Sequence, residues 1–339
     1  MRAVVLVGGF GTRLRPLTHT MPKQMLPVAG RPMIERSLAH LARHGVDDVV
    51  LSLGYRSDSF TSAYPDGHCA GVQLHYAVEP EPLDTAGAIR FAARDAGIDD
   101  TFLVVNSDVL TDFDLTALLA FHRTRGAEAT IALTPVEDPS HFGVVSTDDD
   151  GKVLAFVEKP APGTAPTNLI NAGFYVLEPS VVDRIADGRP SSIERETFPA
   201  LVDAGTLYAR ADDAYWIDVG TPERYLRASL DILDGQRDEA IEADALLPPD
   251  LLIDPTAVVE HSILGPGCRI LEGARVTDSV LLGGVAVGVG ATVDGSIAGP
   301  AAVIGDGAVV EGLTVLGDGA HVDAGARLSG VLVPETDDS

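Results

Sequence analysis

Three glycines and two arginines follow a short apolar run near the start of the chain. Gly8, Gly9 and Gly11 would let backbone amides approach an anion closely, because a glycine has no side chain to hold a ligand away. Arg13 and Arg15 add permanently charged guanidinium groups that suit phosphate oxygens. The spacing matches neither the dinucleotide-binding glycine motif nor the P-loop. These residues indicate either a phosphate-binding loop of another kind or a tight strand-to-helix turn with solvated arginines.

Lysine is rare in this chain, which makes each lysine informative. The 339 residues carry a formal net charge of −26 and contain three lysines, Lys23, Lys152 and Lys159. So acidic a chain is unsuited to non-specific binding of nucleic acid or of an anionic membrane. If the protein handles phosphates, its cations must be local exceptions, and Lys23 and Lys159 are the candidates.

Residues 1–234 alternate between short apolar runs and amphipathic segments, which is typical of an open, mostly parallel, Rossmann-like α/β sheet. The pattern predicts strands at Ala3–Val7, Val49–Leu53, Phe102–Asn106, Thr130–Thr134 and Val153–Val157. It predicts helices at Met33–Arg43, Ala86–Ala96, Leu115–Arg125, Ser192–Ala204 and Pro222–Leu233. Open α/β sheets bind ligands at the carboxyl ends of their strands, and Asp108 falls at such an end.

A different pattern begins after a charged linker at 235–250, which ends in two prolines. Apolar residues recur every six positions in two registers separated by a slip: Leu264, Ile270, Val276 and Leu282, then Ile304, Val310, Leu316, Val322 and Leu328. This period predicts a hexapeptide β-helix over residues 251–334, with about 18 residues per turn, followed by a tail at 335–339. Hexapeptide repeats of this kind resemble the left-handed parallel β-helix.

Two further features exclude classes of protein. Cys69 and Cys268 fit neither a disulfide framework nor a zinc-ligand pattern. No apolar run is long enough to span a bilayer, and the apolar stretch near the N-terminus ends in glycines rather than in a cleavage site. We therefore expect a soluble, cytoplasmic protein that has no membrane or nucleic-acid partner.

Several motifs together resemble the sugar-1-phosphate nucleotidylyltransferase family. The most specific is a long composite pattern, in which Gly8–Thr18 is followed by Pro22–Val28. The resemblance continues through Leu83–Ala88, Asn106–Asp108, Phe142–Gly143, Glu158–Pro160, Asn171–Gly173 and Trp216–Thr221. It covers essentially the whole of residues 1–234, and the β-helix is similar to that of the longer members, such as the GDP-mannose and ADP-glucose pyrophosphorylases.

The resemblance implies that a sugar 1-phosphate attacks the α-phosphorus of an NTP in line and that pyrophosphate leaves. The protein then has to neutralise charge and align its two substrates. The catalytic residues that the resemblance implies are Arg13, Lys23 and Asp108. The nucleotide-binding residues that it implies are Gly8, Gly9, Gly11, Thr12, Asp84 and Gly87.

Asp108 and Asp218 are implied to hold Mg2+, a cation that prefers carboxylate and phosphate oxygens. Without the motifs around them, a helix-cap or turn role would suit Asp108 better, and a loop role would suit Asp218 better. On the sugar side, the resemblance assigns Lys159 to the sugar phosphate. It assigns hydroxyl groups or close backbone contacts to Gly143, Glu158 and Asn171. The alternative for Lys159 is a solvated lysine at the end of a strand.

Asp84 stands where the family usually has glycine, in the segment that binds the base. Its carboxylate could accept both neighbouring N–H donors of guanine, whereas thymine and uracil offer one N–H each. The alternative, which the sequence favours, is an N-cap for the helix predicted to begin near Ala86. Ser107 also replaces a usual glycine, and we expect that replacement to be tolerated.

The segment Ser192–Pro199 resembles the GDP-mannose pyrophosphorylases, so GTP and mannose 1-phosphate are the predicted substrates. A glucose-1-phosphate thymidylyltransferase or uridylyltransferase is the nearest alternative. A non-catalytic, ligand-sensing homologue is another, although the four charged residues assigned to phosphate and metal are all present. A third is an additional acyltransferase activity in the β-helix, with His261 or His321 as the base. We expect the β-helix instead to form a homo-oligomer or to regulate the enzyme.

Overall fold

The structure is a computed structural model that describes residues 1–54, 57–239 and 248–334. Packing divides the chain into two compact units, of which the first contains Met1–Gly9 and Glu35–Trp216. The second contains Phe10–Ile34 and Ile217–Ser339. Packing thus groups the residues differently from the sequence domains 1–234 and 251–334, whose limits stay a prediction. The predicted linker lies partly, and the predicted tail wholly, outside the described residues.

The elements before the β-helix alternate between strands and helices. The strands are β1 (Arg2–Val7), β2 (Pro27–Val28), β3 (Arg31–Pro32), β4 (Asp48–Leu53), β5 (His68–Cys69), β6 (Val72–Val78), β7 (Phe102–Asn106), β8 (Val109–Thr111), β9 (Ala129–Pro135), β10 (Gly143–Thr147), β11 (Val153–Glu158), β12 (Leu169–Leu177), β13 (Leu207–Ala211) and β14 (Trp216–Asp218). The α-helices are α1 (Met33–Arg43), α2 (Ser57–Ala63), α3 (Asp84–Asp95), α4 (Leu115–Arg125), α5 (Pro179–Arg184), α6 (Phe198–Ala204) and α7 (Pro222–Leu233). Shorter helical turns are Thr12–Leu14, Lys23–Met25, Pro139–His141 and Ile193–Thr197.

One ten-stranded sheet organises the first unit, in the order β11-β10-β12-β7-β1-β4-β6-β5, with β9 beside β12 and β13 beside β9. Strands β1, β4, β6 and β7 run parallel, whereas β12 runs antiparallel to β7. Val4, Val50 and Val104 in these central strands are completely buried, as expected where helices cover both faces. The predicted Rossmann-like α/β sheet is confirmed, and β1 and β7 end side by side at its carboxyl edge.

One predicted helix is wrong in part. Ser192–Ala204 is not a single α-helix, because a π-helix at Ile193–Thr197 precedes α6. The amide of Phe198 donates to the carbonyl of Ile193, five residues earlier, and Pro199 has no amide proton to continue the α-helical pattern backwards. The chain is therefore wider in this turn than an α-helix.

The second unit contains three parallel sheets of five short strands each. The first sheet has β15 (Leu252–Ile253), β18 (Arg269–Ile270), β21 (Ala286–Val287), β24 (Val303–Ile304) and β27 (His321–Val322). The second has β16 (Val258–Glu260), β19 (Arg275–Thr277), β22 (Thr292–Asp294), β25 (Val309–Glu311) and β28 (Arg327–Ser329). The third has β17 (Ile263–Leu264), β20 (Val280–Leu281), β23 (Ile297–Ala298), β26 (Val315–Leu316) and β29 (Leu332–Val333). The predicted left-handed parallel β-helix is confirmed.

The predicted turn length of about 18 residues needs a correction. Ile253 pairs with Ile270 and Ile270 with Val287, so most neighbouring turns are 17 residues apart. The turn that leads from β23, β24 and β25 to β26, β27 and β28 has the predicted 18 residues, since Ile297 pairs with Val315. One corner in each shorter turn is a residue shorter than the other two, which produces the slip in the six-residue pattern. The core residue that follows Val276 is accordingly Leu281 and not Leu282.

The third sheet of the β-helix is buried on both faces. Leu264 and Leu281 belong to the core of the β-helix, while Ile263 and Val280, on the opposite face of the same strands, are also buried. Helix α7 packs against β17 within this unit. None of the helices in the described parts of the chain combines the length and apolarity needed to cross a membrane.

Candidate active site

The glycine-rich loop after β1 has a backbone that requires glycine at two positions. Gly9 and Gly11 have φ angles of 90° and 62°, in the left-handed region that other residues rarely adopt. A Cβ on Gly11 would lie 3.0 Å from Thr18 Cγ2 and 3.3 Å from Lys23 Cβ. At Gly8 and Gly9 an added Cβ would meet no atom within 4 Å. The space around Gly8 and Gly9 is thus open, whereas Gly11 lies close to the side chains of Thr18 and Lys23.

Arg13 and Asp218 approach each other beside Gly220 in the second unit. A Cβ on Gly220 would lie 2.9 Å from Arg13 Nη2 and 2.9 Å from Asp218 Oδ1. Only a residue without a side chain leaves room for both charged groups. Asp218 Oδ2 also accepts a hydrogen bond from Arg224 Nη1 at 3.0 Å. Sequence reasoning assigned no role to Arg224, and it named Gly220 only as part of the Trp216–Thr221 motif.

Asp108 lies just past the carboxyl end of β7 in the first unit. Leu6 of β1 pairs with Asn106 of β7, and the Ser107 hydroxyl donates to the Leu6 carbonyl at 2.5 Å. This hydrogen bond fixes the segment after β7 to the end of β1. It also gives a buried serine a partner at the position where the family usually has glycine. Asp108 therefore leaves the same edge of the sheet as Gly8.

The donor chemistry of two predicted metal ligands fits a hard divalent cation. Magnesium is commonly held by one or two carboxylates together with substrate phosphates, rather than by a cage of protein ligands. Asp108 in the first unit and Asp218 in the second each offer carboxylate oxygens. Across residues 1–54, 57–239 and 248–334, no group of three or more His, Cys, Asp or Glu side chains is arranged to hold a metal ion. A metal in these parts would need oxygens from substrate.

Three predicted sugar-side residues lie together at the ends of β10 and β11. Gly143 and Glu158 are directly paired across the two antiparallel strands, and a Cβ on Gly143 would lie 3.0 Å from Glu158 Oε2. Lys159 has a left-handed φ of 46°, and its amide donates to the Phe142 carbonyl at 3.0 Å. Its Nζ lies 3.9 Å from Glu158 Oε1. The turn at Lys159 thus sets an ammonium beside a carboxylate.

The pKa of Glu158 is raised above its usual value, chiefly because the carboxyl group is partly buried. The nearby carboxylate of Glu194 adds to the rise, whereas Lys159 and Arg195 oppose it. Glu158 therefore takes up a proton at a higher pH than a solvated glutamate. Above that pH it is an ionised acceptor, and below it the group is neutral and gains an O–H donor.

Asn171, the fourth sugar-side residue, organises a bulge in β12. The pairing of β12 with β9 shifts between Asn171 and Tyr175, and Gly173 takes a left-handed φ of 79° within the shift. Asn171 Oδ1 accepts from the Gly173 amide at 3.0 Å, and its Nδ2 donates to the Tyr175 hydroxyl at 2.9 Å. Tyr175 is completely buried, and burial raises the pKa of its hydroxyl. Sequence reasoning missed Tyr175, because it has the pattern of an ordinary core residue.

Asp84 has a left-handed φ of 58°, which explains why a glycine suits this position in the family. The predicted N-cap role is wrong, because α3 begins at Asp84 itself and its N-cap residue is Leu83. The exposed carboxylate of Asp84 accepts the adjacent amide of Thr85 at 2.7 Å. Gly87 has a packing role, since a Cβ there would lie 2.8 Å from Leu83 Cβ.

His261 of the β-helix is poorly suited to act as a base. His261 Nδ1 lies 2.5 Å from Asp278 Oδ1, and its Nε2 lies 3.0 Å from Asp234 Oδ1. The hydrogen bond to Asp278 is the largest cause of a raised pKa, and Asp234 adds to it against the effect of burial. Both ring nitrogens are thus favoured as donors. His321, which is exposed, lies 3.6 Å from Asp323.

Comparison with known sequences matches both parts of the chain to described protein families. The nucleotidyl transferase family matches residues 2–235, and a family described as the GMPPB C-terminal domain matches residues 241–336. The mannose-1-phosphate guanylyltransferase of Mycobacterium tuberculosis is 44% identical over 291 residues, which are 82% of this chain and 80% of the relative. Mannose-1-phosphate guanylyltransferase 1 of Arabidopsis thaliana is 38% identical over 98% of this chain and 96% of the relative. The mannose-1-phosphate guanyltransferase of Candida albicans is 41% identical over 98% and 95%.

Solved structures give the same answer for the fold. The crystal structure of HddC from Yersinia pseudotuberculosis superposes with a TM-score of 0.59 at 29% identity, and covers 68% of this chain and 99% of its own. The same protein has been solved in complex with GMP-PN, with the same TM-score. The sequence matches extend over well more than half of the chain, and the motifs and sheet agree with them. This chain belongs to the nucleotidyl transferase family.

Proposed function

We propose that this protein transfers a guanylyl group from GTP to mannose 1-phosphate, giving GDP-mannose and pyrophosphate. The observation that carries the proposal is that relatives from a bacterium, a plant and a yeast are all named for this activity. They align with 80%, 96% and 95% of their own lengths. Neither thymidylyl nor uridylyl transfer to glucose 1-phosphate is favoured by these relatives.

The proposed nucleotide side consists of open backbone and fixed cations. The amides of Gly8, Gly9, Gly11 and Thr12 bind the triphosphate, where the left-handed turns at Gly9 and Gly11 keep side chains out of the way. Arg13 and Lys23 stabilise the pyrophosphate as it leaves. The planar fork of N–H donors on Arg13 suits the oxygens of a phosphate group.

Magnesium is the proposed cofactor, with Asp108 and Asp218 as its protein ligands. When bound, it would neutralise negative charge on the phosphates. The proposal rests on the carboxylate chemistry of the two residues and on the motifs that contain them. Arg224, which donates to Asp218 Oδ2, orients that carboxylate from behind.

The proposed sugar side uses the cluster at the ends of β10 and β11. Lys159 binds the phosphate of mannose 1-phosphate, and Glu158 accepts a hydrogen bond from a hydroxyl group of the sugar. Gly143 keeps the space in front of Glu158 open, since any side chain there would press on that carboxylate. Asn171 contributes its amide from the bulge in β12. The phosphate oxygen is then aligned for in-line attack on the α-phosphorus of the nucleotide.

A panel of substrates tests this proposal. GTP, UTP, dTTP and ATP are each combined with mannose 1-phosphate and glucose 1-phosphate, and pyrophosphate release is measured with and without Mg2+. We expect GTP with mannose 1-phosphate to have the highest kcat/KM. A preference for UTP or dTTP with glucose 1-phosphate would contradict the substrate assignment. Failure of every pair to release pyrophosphate would instead favour the non-catalytic homologue.

We also propose that the β-helix joins copies of this chain into a homo-oligomer. Leu252, on the first turn, is 63% exposed although it is a large apolar residue. A charge there should lower the molar mass measured by light scattering, so we propose Leu252→Asp as the test. Leu154 on β11 is 60% exposed, and Leu154→Asp is the matched control. Equal masses for the two variants would contradict the role of the β-helix.

The cytoplasm is the proposed location of this enzyme. Cys69 and Cys268 form no disulfide, in keeping with a reducing compartment. Fractionation of cells that express the tagged protein would check this, with recovery outside the cytoplasm as the contrary result.

A further inference from the structure

The segment 189–194 covers the beginning of α3 and completes its hydrogen bonds. The Ser191 carbonyl accepts from the amides of Ala86 at 2.8 Å and Gly87 at 3.2 Å, and the Ser191 amide donates to the Leu83 carbonyl at 2.9 Å. The first amides of an α-helix have no partner inside the helix, and Leu83 provides no side-chain cap. The segment therefore does the work of a cap and fixes the start of α3.

Glu194 reinforces this junction with its carboxylate. Its Oε2 accepts from the hydroxyl groups of Thr85 and Ser192, each at 2.9 Å. The Thr85 hydroxyl also accepts the amide of Ile193 at 2.8 Å. Because a threonine hydroxyl has one proton, the two bonds of Thr85 fix its orientation, and Glu194 is the acceptor. Hydrogen bonds to an ionised carboxylate are stronger than those between neutral groups.

Glu194 also acts electrostatically on the residues assigned to the sugar, since the π-helix that contains it packs against β11, which ends at Glu158. Its charge adds to the effect of burial in raising the pKa of Glu158, and it does the same for the pKa of Tyr175. Glu158 is paired with Gly143, and the Tyr175 hydroxyl accepts from Asn171. A single carboxylate therefore binds the segment assigned to the base through Thr85 and influences the charge state of Glu158 on the sugar side.

The backbone around Glu194 is unusual as well. Glu194 lies in the π-helix Ile193–Thr197, a conformation that is rare and occurs mostly as single turns, frequently at functional sites. The Ser192 hydroxyl accepts the Arg195 amide at 3.2 Å and so begins this turn. The wider turn and the hydroxyl of Ser192 together direct the Glu194 carboxylate towards Thr85.

We propose that Glu194 is a positioning residue, which sets the place of the nucleotide base relative to the sugar phosphate by holding Thr85 at the start of α3. This inference rests on the proposed function, in which Glu158 contacts the sugar, and on the family resemblance, which assigns the segment around Asp84 to the base. Glu194 acts through Thr85, so its loss changes which nucleotide is selected. It is in this way a determinant of specificity rather than a catalytic residue.

A matched pair of variants at Thr85 tests the junction. Thr85→Val keeps the shape of the side chain but removes both hydrogen bonds, whereas Thr85→Ser keeps the hydroxyl. We expect Thr85→Val to reduce the ratio of kcat/KM between the preferred nucleotide and the next one about tenfold, and Thr85→Ser to keep that ratio within about twofold. The unfolding midpoint of each variant is measured alongside.

A second pair tests the carboxylate itself. Glu194→Gln removes the charge, and Glu196→Gln removes a neighbouring charge of the same π-helix that is paired with Arg189 at 2.6 Å. We expect Glu194→Gln to weaken nucleotide discrimination. It should also move the acidic limb of the kcat/KM profile for mannose 1-phosphate to lower pH, because Glu158 loses a negative neighbour that raises its pKa. Glu196→Gln should change neither.

Unaltered discrimination and an unaltered pH profile in folded Glu194→Gln would overturn the proposal, and so would equal effects from Glu196→Gln. If Thr85→Val does not fold, the comparison between Glu194→Gln and Glu196→Gln decides. A wild-type preference for UTP over GTP would refute the proposed substrate. The loss of discrimination in Glu194→Gln would still support the positioning role in that case, so the two failures are distinguishable.

Discussion

Left-handed residues occur in both the α/β region and the β-helix, but with different meanings. In the β-helix they repeat from turn to turn, and Gly267, Gly284 and Ala301 occupy equivalent corners. An alanine serves there as well as a glycine, so the side chain at such a corner has no necessary role. In the α/β region, Ala29, Ala70, Asp84 and Lys159 are left-handed without any repeat, and the last two carry charged side chains. A left-handed residue is therefore architectural where it repeats, and a charged one that does not repeat is a candidate for function.

The energies support this distinction. A left-handed conformation costs an ordinary residue roughly 1–2 kcal/mol, a strain that glycine avoids. Strained backbone persists where the surrounding structure holds it in place, and it concentrates at functional sites. A charged side chain kept at such a position is therefore a candidate for binding. Lys159, one of three lysines in a chain of net charge −26, is the clearest example.

The largest expected effect tests whether the reaction depends on residues that precede the β-helix and not on those of the β-helix itself. We expect Asp108→Asn and Asp218→Asn each to lower kcat at least about a hundredfold, because each removes a charged ligand of the proposed metal. Turnover is measured over a range of Mg2+ concentrations, with circular dichroism to check the fold. Asp278→Asn, the same change on the β-helix, should leave kcat unchanged. Wild-type turnover in Asp108→Asn or Asp218→Asn would remove the metal assignment.

The second effect concerns Lys159, a charged left-handed residue that does not repeat. Lys159→Ala and Lys159→Gly both lose the ammonium group, so each should raise KM for mannose 1-phosphate roughly tenfold or more. Lys159→Gly should unfold at a higher temperature than Lys159→Ala, because glycine relieves the left-handed backbone. Lys152→Ala is the control for loss of a lysine. If KM stayed at the wild-type value in both variants, Lys159 would be a solvated strand-end residue.

Sequence patterns predicted those features that depend on regular spacing. Helices α1, α4 and α7 begin and end at the predicted residues, since apolar periodicity and capping residues determine such helices locally. The π-helix could not be predicted, because it depends on the packing of Glu194 and Ser192 against α3. Tyr175 was hidden for a related reason. Its partner Asn171 becomes a neighbour only through the bulge at Gly173.

The site itself was predicted as a set of residues, but their geometry was not. Motifs indicated Arg13 and Asp218 independently, and the structure adds that both lie against Gly220. A sequence pattern does not show which glycine is required for space and which for its φ angle. That distinction needs the atoms around Gly220, which come from Asp218 in the same motif and from Arg13, far away in the sequence.

The third effect examines Asp84, the other charged left-handed residue that does not repeat. If its carboxylate accepts the two N–H donors of guanine, Asp84→Gly should reduce the preference for GTP over UTP about tenfold. Stability should not fall, because glycine suits a φ of 58°. Asp84→Asn tolerates the same backbone but offers donors as well as an acceptor, so it separates recognition from strain. An unchanged preference for GTP in both variants would mean that Asp84 does not recognise the base. Its carboxylate would then serve only to accept the Thr85 amide.

The smallest effect tests whether a residue of the repeating β-helix can influence function. It concerns Gly317, which has no left-handed φ. A Cβ on Gly299 would collide with the backbone of the next turn at Gly317, whereas a Cβ on Gly317 would lie 3.0 Å from Pro16 Cβ. Pro16 belongs to the same loop as Arg13. Gly317→Ala should therefore shift this loop by a few tenths of an ångström and lower kcat/KM for GTP about twofold to fivefold.

The matched control for that variant is Gly283→Ala, since the nearest atom to a Cβ there, the Pro266 carbonyl oxygen, lies 3.4 Å away in ordinary contact. We expect Gly283→Ala to retain wild-type kcat/KM, and unfolding midpoints of both variants separate kinetics from stability. A difference between the two alanine variants would mean that the last turns of the β-helix help to place the phosphate-binding loop. Periodic residues would then carry function as well as architecture. Identical kinetics would mean that Gly317 serves only the stacking of turns. The distinction between repeated and isolated positions would then stand.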